Sequence, residues 1–222
     1  INKNLEQQID ALYTELFILD ADPSWRSGTI SDLGDVIGGG TPSKKLDDYY
    51  TNGGIAWITP KDLSRDRSKF CSHGEIDITE LGLSKSSAVM MPAGSVLFSS
   101  RAPIGYIAIA VNELCTNQGF KSIIPKNEIG TAFVYCFLKT NLSTIESMAS
   151  GSTFKEVSAS TMRSVPAVLP DQKTIMRFND FSEPILKEQQ NLETENRGLA
   201  EIRDTLLPRL MSGEIDVSDI AL

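Results

Sequence analysis

The sequence has one histidine, three cysteines and two tryptophans in 222 residues. A single histidine, His73, cannot build a metal cluster, and Cys71, Cys115 and Cys136 are too far apart to form a C-x-x-C pair. Structural zinc is therefore not expected, and an odd number of scattered thiols suits a reducing cytoplasm. His73 stands two residues from Cys71, but neighbours that close rarely present both groups productively, so it reads as a loop histidine. There is no run of 18 apolar residues, which leaves no transmembrane-helix candidate. The opening Ile1-Asn2-Lys3-Asn4 lacks the apolar core of a signal peptide. It also lacks an initiator Met, so a fragment or a trimmed chain is expected. Neither the G-x-x-x-x-G-K-[ST] phosphate loop nor the full G-x-G-x-x-G fingerprint is found, and Gly38-Gly39-Gly40-Thr41 reads as a flexible turn. The Asn-Pro-Pro-aromatic motif with which an adenine methyltransferase holds its flipped base is missing too. The carboxylates look scattered, with nothing to pair them. Neither a catalytic site nor a cofactor is expected.

The net charge of −8 argues against nucleic acid until its distribution is read. Residues 1–25 carry one Lys against five acids, and residues 171–222 carry six basic against eleven acidic residues. Residues 26–170 hold fourteen basic and thirteen acidic residues and are nearly neutral. The acidity sits at the ends, and a near-neutral middle can still present a basic face.

Both ends read as helices. Leu5, Ile9, Leu12, Leu16 and Leu19 alternate spacings of four and three, an a/d seam that Asp22-Pro23 ends. Asp171 is a plausible N-cap for a second helix, which Pro184 restarts or kinks and Leu207-Pro208 and Ser212-Gly213 close. Along it Phe178, Ile185, Leu192, Leu199 and Leu206 recur every seven residues, with Glu188, Gln189, Glu195 and Asn196 leaving the upper seam polar. From Pro184 to Leu210 such a helix extends about 40 Å. A lone stripe would pack on its own domain. Two heptad helices at opposite ends favour an antiparallel pair, within one chain or between two, with the seam of Leu5 to Leu19 against that of Ile185, Leu192, Leu199 and Leu206.

The middle reads as an α+β domain with a strongly bent sheet and long polar loops. Strands are expected at Ile55–Ile58, Ser95–Phe98, Tyr106–Val111 and Lys121–Pro125, and a helix from Thr131 to Lys139. The boundaries follow as a helix over residues 1–22, a domain over 23–170, and a helix with its tail over 171–222. Basic and hydrogen-bonding side chains gather in the loops: Thr41, Ser43, Lys44 and Lys45; Lys61, Arg65, Arg67 and Lys69; Arg101 after Ser99-Ser100; Asn117, Gln118 and Lys121; and Ser152, Thr153 and Lys155. Lys and Arg suit phosphates, while Arg, Asn and Gln suit purine edges. Ordinary solvated surface is the competing reading of each.

The order of short motifs carries more. Leu33-Gly34-Asp35-Val36 leads into Gly39-Gly40-Thr41-Pro42-Ser43, then Ile55-Ala56-Trp57-Ile58-Thr59-Pro60-Lys61-Asp62-Leu63. Pro92 to Gly105 follows, then Cys115-Thr116-Asn117-Gln118-Gly119-Phe120 and Gly151-Ser152-Thr153. Val165 to Pro170 and the closing Leu206-Leu207-Pro208-Arg209-Leu210-Met211-Ser212-Gly213-Glu214-Ile215 complete the series. The ordered set resembles the target-recognition domain and distal helix of type I restriction–modification specificity subunits. That resemblance implies a non-catalytic, cytoplasmic, DNA-binding chain reading one half of a split target, because a full subunit holds two such domains spaced by antiparallel helices. It implies double-stranded DNA, methyltransferase subunits and a restriction subunit as partners, with no membrane. This chain then corresponds to a C-terminal half or a half-length subunit able to form a homodimer. The DNA contacts expected are Thr41, Ser43, Lys44, Lys45, Lys61, Arg65, Arg67, Arg101, Asn117, Gln118 and Lys155. Two other readings stay open: a stand-alone homodimeric DNA-binding regulator, and a coiled-coil module that binds protein.

Overall fold

The computed structural model describes residues 1–151 and 155–215. Helix α1 (Asn2–Thr14) runs on as a π-helical turn over Glu15–Leu19. Strand β1 (Arg26–Thr29), the one-turn helix α2 (Ile30–Leu33) and β2 (Gly34–Gly38) follow. A 3-10 turn precedes β3 (Tyr50–Thr51) and β4 (Trp57–Ile58), and then come α3 (Pro60–Arg65), β5 (Phe70–Cys71), β6 (Asp77–Ile78) and α4 (Glu80–Ser84). The central hairpin is β7 (Val96–Ser100) and β8 (Ile104–Ala110), after which β9 (Cys115–Thr116) and β10 (Lys121–Pro125) complete the strands of the middle. Helices α5 (Thr131–Thr140), α6 (Leu142–Ser147) and α7 (Ala159–Arg163), with strand β11 (Pro166–Leu169), lead to α8 (Gln172–Met211).

The class is α+β, as the patterning indicates. A mixed five-stranded sheet runs β2-β10-β7-β8-β5, antiparallel except where edge strand β5 lies parallel to β8. Three two-stranded ladders surround it: β1 with β11, β3 with β6, and β4 with β9. Period-two alternation divides the sheet's side chains between two faces. Val96, Phe98, Ile109 and Ile123 join Phe133, Leu138 and the terminal helices in the main core. Leu97, Ala108 and Ala110 join Ile58, Leu63 and Phe120 in a second cluster. Helix starts follow local chemistry: the Asp62 carboxylate accepts the Thr59 N–H at 2.7 Å before Pro60, and Asp171 accepts the Thr174 N–H at 3.0 Å.

The terminal helices pack on each other and on the domain, with a pairing that differs from the expected one. They run antiparallel: Gln189 donates to the Asn2 carbonyl at 3.1 Å, while Phe17 meets the Phe178 ring at 5.3 Å. Ile9, Tyr13 and Leu16 are buried, Leu5 and Leu12 half-buried, and Leu19 is 74% exposed. On α8 the buried positions are Ile175, Phe178, Ser182, Leu186 and Gln189. Ile185 and Leu192 are half-buried, while Leu199 and Leu206 stand 56% and 39% exposed. The reason is register. With Asn2 opposite Gln189, α1 extends back toward Phe178 and cannot reach Leu199. Of the restart or kink expected at Pro184, helix α8 shows no restart and runs on through it; Pro184 lies on the exposed side, so the carbonyl it leaves unpaired can turn to water. It likewise continues through the exposed Pro208 to Met211.

A polar cluster sits where α1, α5, α8 and the β5 edge meet. The buried Lys69 ammonium pairs with Glu6, donates to Gln189 Oε1 at 2.8 Å and lies 4.8 Å from the Tyr135 ring. Burial, with the Lys139 charge nearby, lowers Lys69 to about 8. Lys139 bridges Glu6 and Asp10, the latter at 2.9 Å. Glu193 of α8 accepts the backbone N–H of Lys69 at 3.3 Å and of Phe70 at 3.2 Å. Lys69 is thus a structural residue of this junction.

Phe178, fully buried against Tyr13, Phe17 and Phe133, joins both helices to the domain. Phe178→Ala should lower the unfolding free energy by about 3–5 kcal/mol. Leu199→Ala, on the exposed stretch, should change it by less than about 0.5 kcal/mol in dilute solution. Urea denaturation of both variants checks this, and equal losses would mean that the lower half of α8 is also packed.

Candidate functional site

A cleft of about 410 Å³ collects Thr41, Lys44, Lys61, Arg101, Asn117 and Gln118 from four separate stretches of chain. Buried Ile58, Leu63 and Phe120 anchor the segments that line it.

Glycine sets the first wall by close approach. A Cβ at Gly39 would lie 1.9 Å from the Asn117 carbonyl oxygen, and one at Gly40 would lie 2.3 Å from the Ala88 nitrogen. Neither glycine has positive φ. Gly38 ends β2 with open space around it, and Gly39–Gly40 is a clamped segment, so the run is not the flexible turn expected. Gly40 N–H donates to the Thr116 carbonyl at 2.8 Å, and the Trp57 indole donates to the Gly40 carbonyl at 2.9 Å. Thr41 emerges from this clamp with its hydroxyl bonded to Gln118 Oε1.

The second wall is the start of α3. Asp62 closes the helix cap with one oxygen and accepts the Glu75 N–H at 3.0 Å with the other, bringing Glu75 to the helix. Glu75 then receives Lys61 at 2.9 Å and Arg65 at 2.8 Å. Those two donors hold its carboxyl at about 2, well below the usual carboxylate range.

The third wall is the β7–β8 tip. Buried Ser99 donates to the Pro103 carbonyl and accepts the Tyr106 N–H, each at 2.8 Å. Ser100 N–H donates to the Gly119 carbonyl at 2.8 Å, and Val157 N–H donates to the Ser100 carbonyl at 3.0 Å. These bonds set Arg101 beside the Asn117–Gly119 turn and Glu156. Glu156 pairs with Arg101 at 3.3 Å and with Lys121 at 3.4 Å. In both ionic groups two cations share one carboxylate, leaving one positive charge in surplus. Lys44 is exposed and makes no ion pair among the described residues.

Other expected site residues fall around this centre. Ser43 and Lys45 flank Lys44 in the same exposed loop, and Arg65 reaches the cleft through Glu75. Lys155 is exposed next to Glu156. Arg67 lies apart, in a shallow depression with Tyr106 and Gly105. Ser152 and Thr153 lie outside the described residues. Glu75 and Glu156 were not picked out from sequence, since each carboxylate lies many residues from its cations. His73 bonds the neighbouring Ser72 hydroxyl at 2.8 Å in an exposed loop. The three thiols are buried, and burial pushes Cys71 up to about 11 and Cys115 and Cys136 to about 12. Among the described residues no group of three or more His, Cys, Asp or Glu is placed to hold a metal, and no helix is long and apolar enough to cross a membrane. The cleft offers cations for an anion and amide and hydroxyl groups for a polar edge.

The family described as type I restriction modification DNA specificity domain matches residues 23–195. The type I restriction enzyme MjaIX specificity subunit of Methanocaldococcus jannaschii is 40% identical over 178 residues, 76% of this chain and 41% of that protein. The HindI specificity subunit of Haemophilus influenzae is 31% identical over 194 residues, 86% of this chain and 42% of that protein. The HsdS subunit from Thermoanaerobacter tengcongensis has a similar fold, with a TM-score of 0.55 at 20% identity over 96% of this chain and 52% of its own. The type I S subunit from M. genitalium gives 0.57 at 17% identity over 89% and 48%. The chain thus spans less than half the length of these curated relatives and about half of each solved chain.

The depressed Glu75 carboxyl has a measurable consequence. A carboxylate whose folded value lies below its unfolded one contributes stability that is complete above the unfolded value of 4.5 and is lost as pH falls toward 2. In a carbon-detected NMR titration Glu75 should titrate near 2, and Lys61→Met with Arg65→Met should return it toward 4.5. Titration near 4.5 in the parent would show that the shared carboxylate does not form in solution.

Proposed function

The chain belongs to the type I restriction modification DNA specificity domain family, and from that premise we propose that it binds duplex DNA through the cleft and reads one half of a split target. The observation that carries this is the convergence of Lys44, Lys61 and Arg101 with Thr41, Asn117 and Gln118 in one cleft. Cations match phosphates, and amides match base edges. Ser43, Lys45, Arg65 and Lys155 extend the contact as outlying phosphate ligands, while Arg67, set apart from the cleft, contributes least. The chain carries out no chemistry of its own. It works in the cytoplasm as the specificity component of an assembly with methyltransferase subunits and a restriction subunit, a reading supported by the names of its relatives. The terminal helices serve as docking scaffold, since the end segments that contain them are net acidic and so make poor DNA surfaces, although α8 itself is nearly charge-balanced.

The exposed stripe of Leu199, Ile202, Leu206 and Leu210 favours a further element of this reading: a second helix pairs there, from a second copy in a homodimer or from the other half of a longer subunit. A half-length recognition unit reads a whole split target only in duplicate.

Duplex binding across a salt series tests the cleft. Lys44→Ala and Lys61→Ala should each reduce the log–log salt slope by about 1 and weaken all sequences alike. Arg101→Ala should weaken binding with little loss of thermal stability, since its pair with Glu156 is part-exposed. Unchanged affinity with a clear loss of stability would assign Arg101 to the fold. The pure chain given AdoMet, ATP and Mg²⁺ should leave DNA unmethylated and uncut.

Assembly has its own readout. Light scattering should show dimers at high concentration, and Leu199→Glu with Ile202→Glu should shift them toward monomers. A parent that stays monomeric at every concentration would leave only pairing within a longer subunit.

A further inference from the structure

Two adjacent side-chain amides lie in the cleft, and their surroundings differ. Asn117 is half-buried, and its Oδ1 accepts the Gly119 N–H at 2.8 Å, so its amide is committed to closing the turn. Gln118 is exposed. Its Oε1 meets the Thr41 hydroxyl, and its Nε2 has no hydrogen-bond partner among the described residues. A hydroxyl both donates and accepts, so whichever amide end Thr41 holds, at least one donor and at least one acceptor of Gln118 remain for the cleft. The backbone beneath is fixed: Asn117 N–H donates to the Ile58 carbonyl at 2.9 Å, and the Gly119 carbonyl takes the Ser100 N–H at 2.8 Å. The Thr41 side is fixed by the Gly39–Gly40 clamp.

We propose that Gln118, oriented by Thr41, reads an adenine on the major-groove edge of the bound duplex through paired hydrogen bonds to N6 and N7. This rests on the DNA-reading function proposed above and names the base that the function discriminates. Adenine presents a donor beside an acceptor; guanine presents two acceptors, cytosine one donor, and thymine one acceptor and a methyl group. An amide that presents a donor beside an acceptor uses both its ends on adenine, but only its donor end on guanine or thymine and only its acceptor end on cytosine. Thr41 is a positioning residue: it removes the rotational freedom that an exposed glutamine would otherwise lose on binding. Lys61 and Arg101, in the same cleft, supply the phosphate contacts that hold the base edge against the amide.

The test selects bound sequences from a random duplex pool, using the full chain co-purified with its methyltransferase subunit. Thermal melting of every variant runs in parallel. The parent should select a motif with a fixed adenine whose preference is lost, at that position alone, in Gln118→Ala. Affinity for the parental site should fall about ten- to a hundredfold. Gln118→Glu, which offers acceptors alone, should move the preference at that position toward cytosine. Thr41→Val should weaken the same adenine preference and no other, which a merely structural role of Thr41 would not do. An unchanged motif in Gln118→Ala, or a position that is not adenine in the parent, overturns the assignment. Loss of a guanine preference in Arg101→Ala with Gln118→Ala unchanged would give base reading to Arg101 instead. A parent that binds no duplex at all overturns the DNA reading as well, and so is distinguishable from failure of the adenine assignment alone.

Discussion

A lysine ammonium buried between three helices and a sheet edge fixes the arrangement of the rest. Lys69 enters the edge strand β5, and its side chain reaches Glu6 of α1 and Gln189 of α8 beside the Tyr135 ring of α5. Removing Glu6 would leave the buried Lys69 ammonium without its carboxylate, which is strongly destabilising for a charge held out of water. Well-packed apolar side chains would be as stable, so the cluster contributes position more than energy. It admits one alignment of α1 on α8. One turn of slip would take Glu6 from Lys69 and Lys139 and Gln189 from Asn2. Glu193 reinforces this by accepting two N–H groups of the sheet edge, which ties α8 to the strand directly.

That alignment divides α8 into two halves with different roles. Above Glu193 the helix is part of the domain core, with Ile175, Phe178 and Leu186 packed on α1 and α5. Below it, Leu199, Ile202, Leu206 and Leu210 stand exposed on a stretch whose acidic residues Glu195, Glu201 and Asp204 are matched by Arg197, Arg203 and Arg209. This lower half moves with the domain because the upper half is locked. The partner helix proposed for the lower half would thereby be held at a fixed distance and angle from the cleft, as the proposed spacing of two recognition units requires.

The cleft combines weak and strong constraints. Its ionic groups are part-exposed and screened by solvent, so Lys61, Arg65 and Arg101 can exchange a carboxylate for a phosphate. The backbone below is held tightly by glycine close approach at Gly39 and Gly40, by Ser99 and Ser100, and by Asp62. Mobile charge on a rigid frame suits the duplex-reading role proposed for the cleft, in which the surface registers on phosphates before it discriminates base edges.

The sequence by itself determined whatever is encoded over a few residues. The terminal helices were legible from their apolar repeats, the start of α8 from Asp171, β10 from Lys121–Pro125, and the α+β class from strand runs followed by helical spacing. The ordered motifs carried the family, and the loop chemistry pointed to Thr41, Lys44, Lys61, Arg101, Asn117 and Gln118. Only the tertiary structure decided how these pieces meet. The pairing of α1 with Phe178 and Gln189 instead of Leu199 is set by a lysine more than sixty residues from either helix partner, and no heptad shows it. Glu75 lies fourteen residues from Lys61, and Glu156 fifty-five from Arg101, so their joint hold on the cations leaves no periodic trace. Gly39 and Gly40 read as a turn because glycine's lack of a side chain permits either a sharp bend or a close contact, and only the neighbouring strand tells which. Asn117 and Gln118 are chemically alike in sequence; the fold spends one amide on a turn and leaves the other open, because a hydrogen bond depends on distance in space and not along the chain.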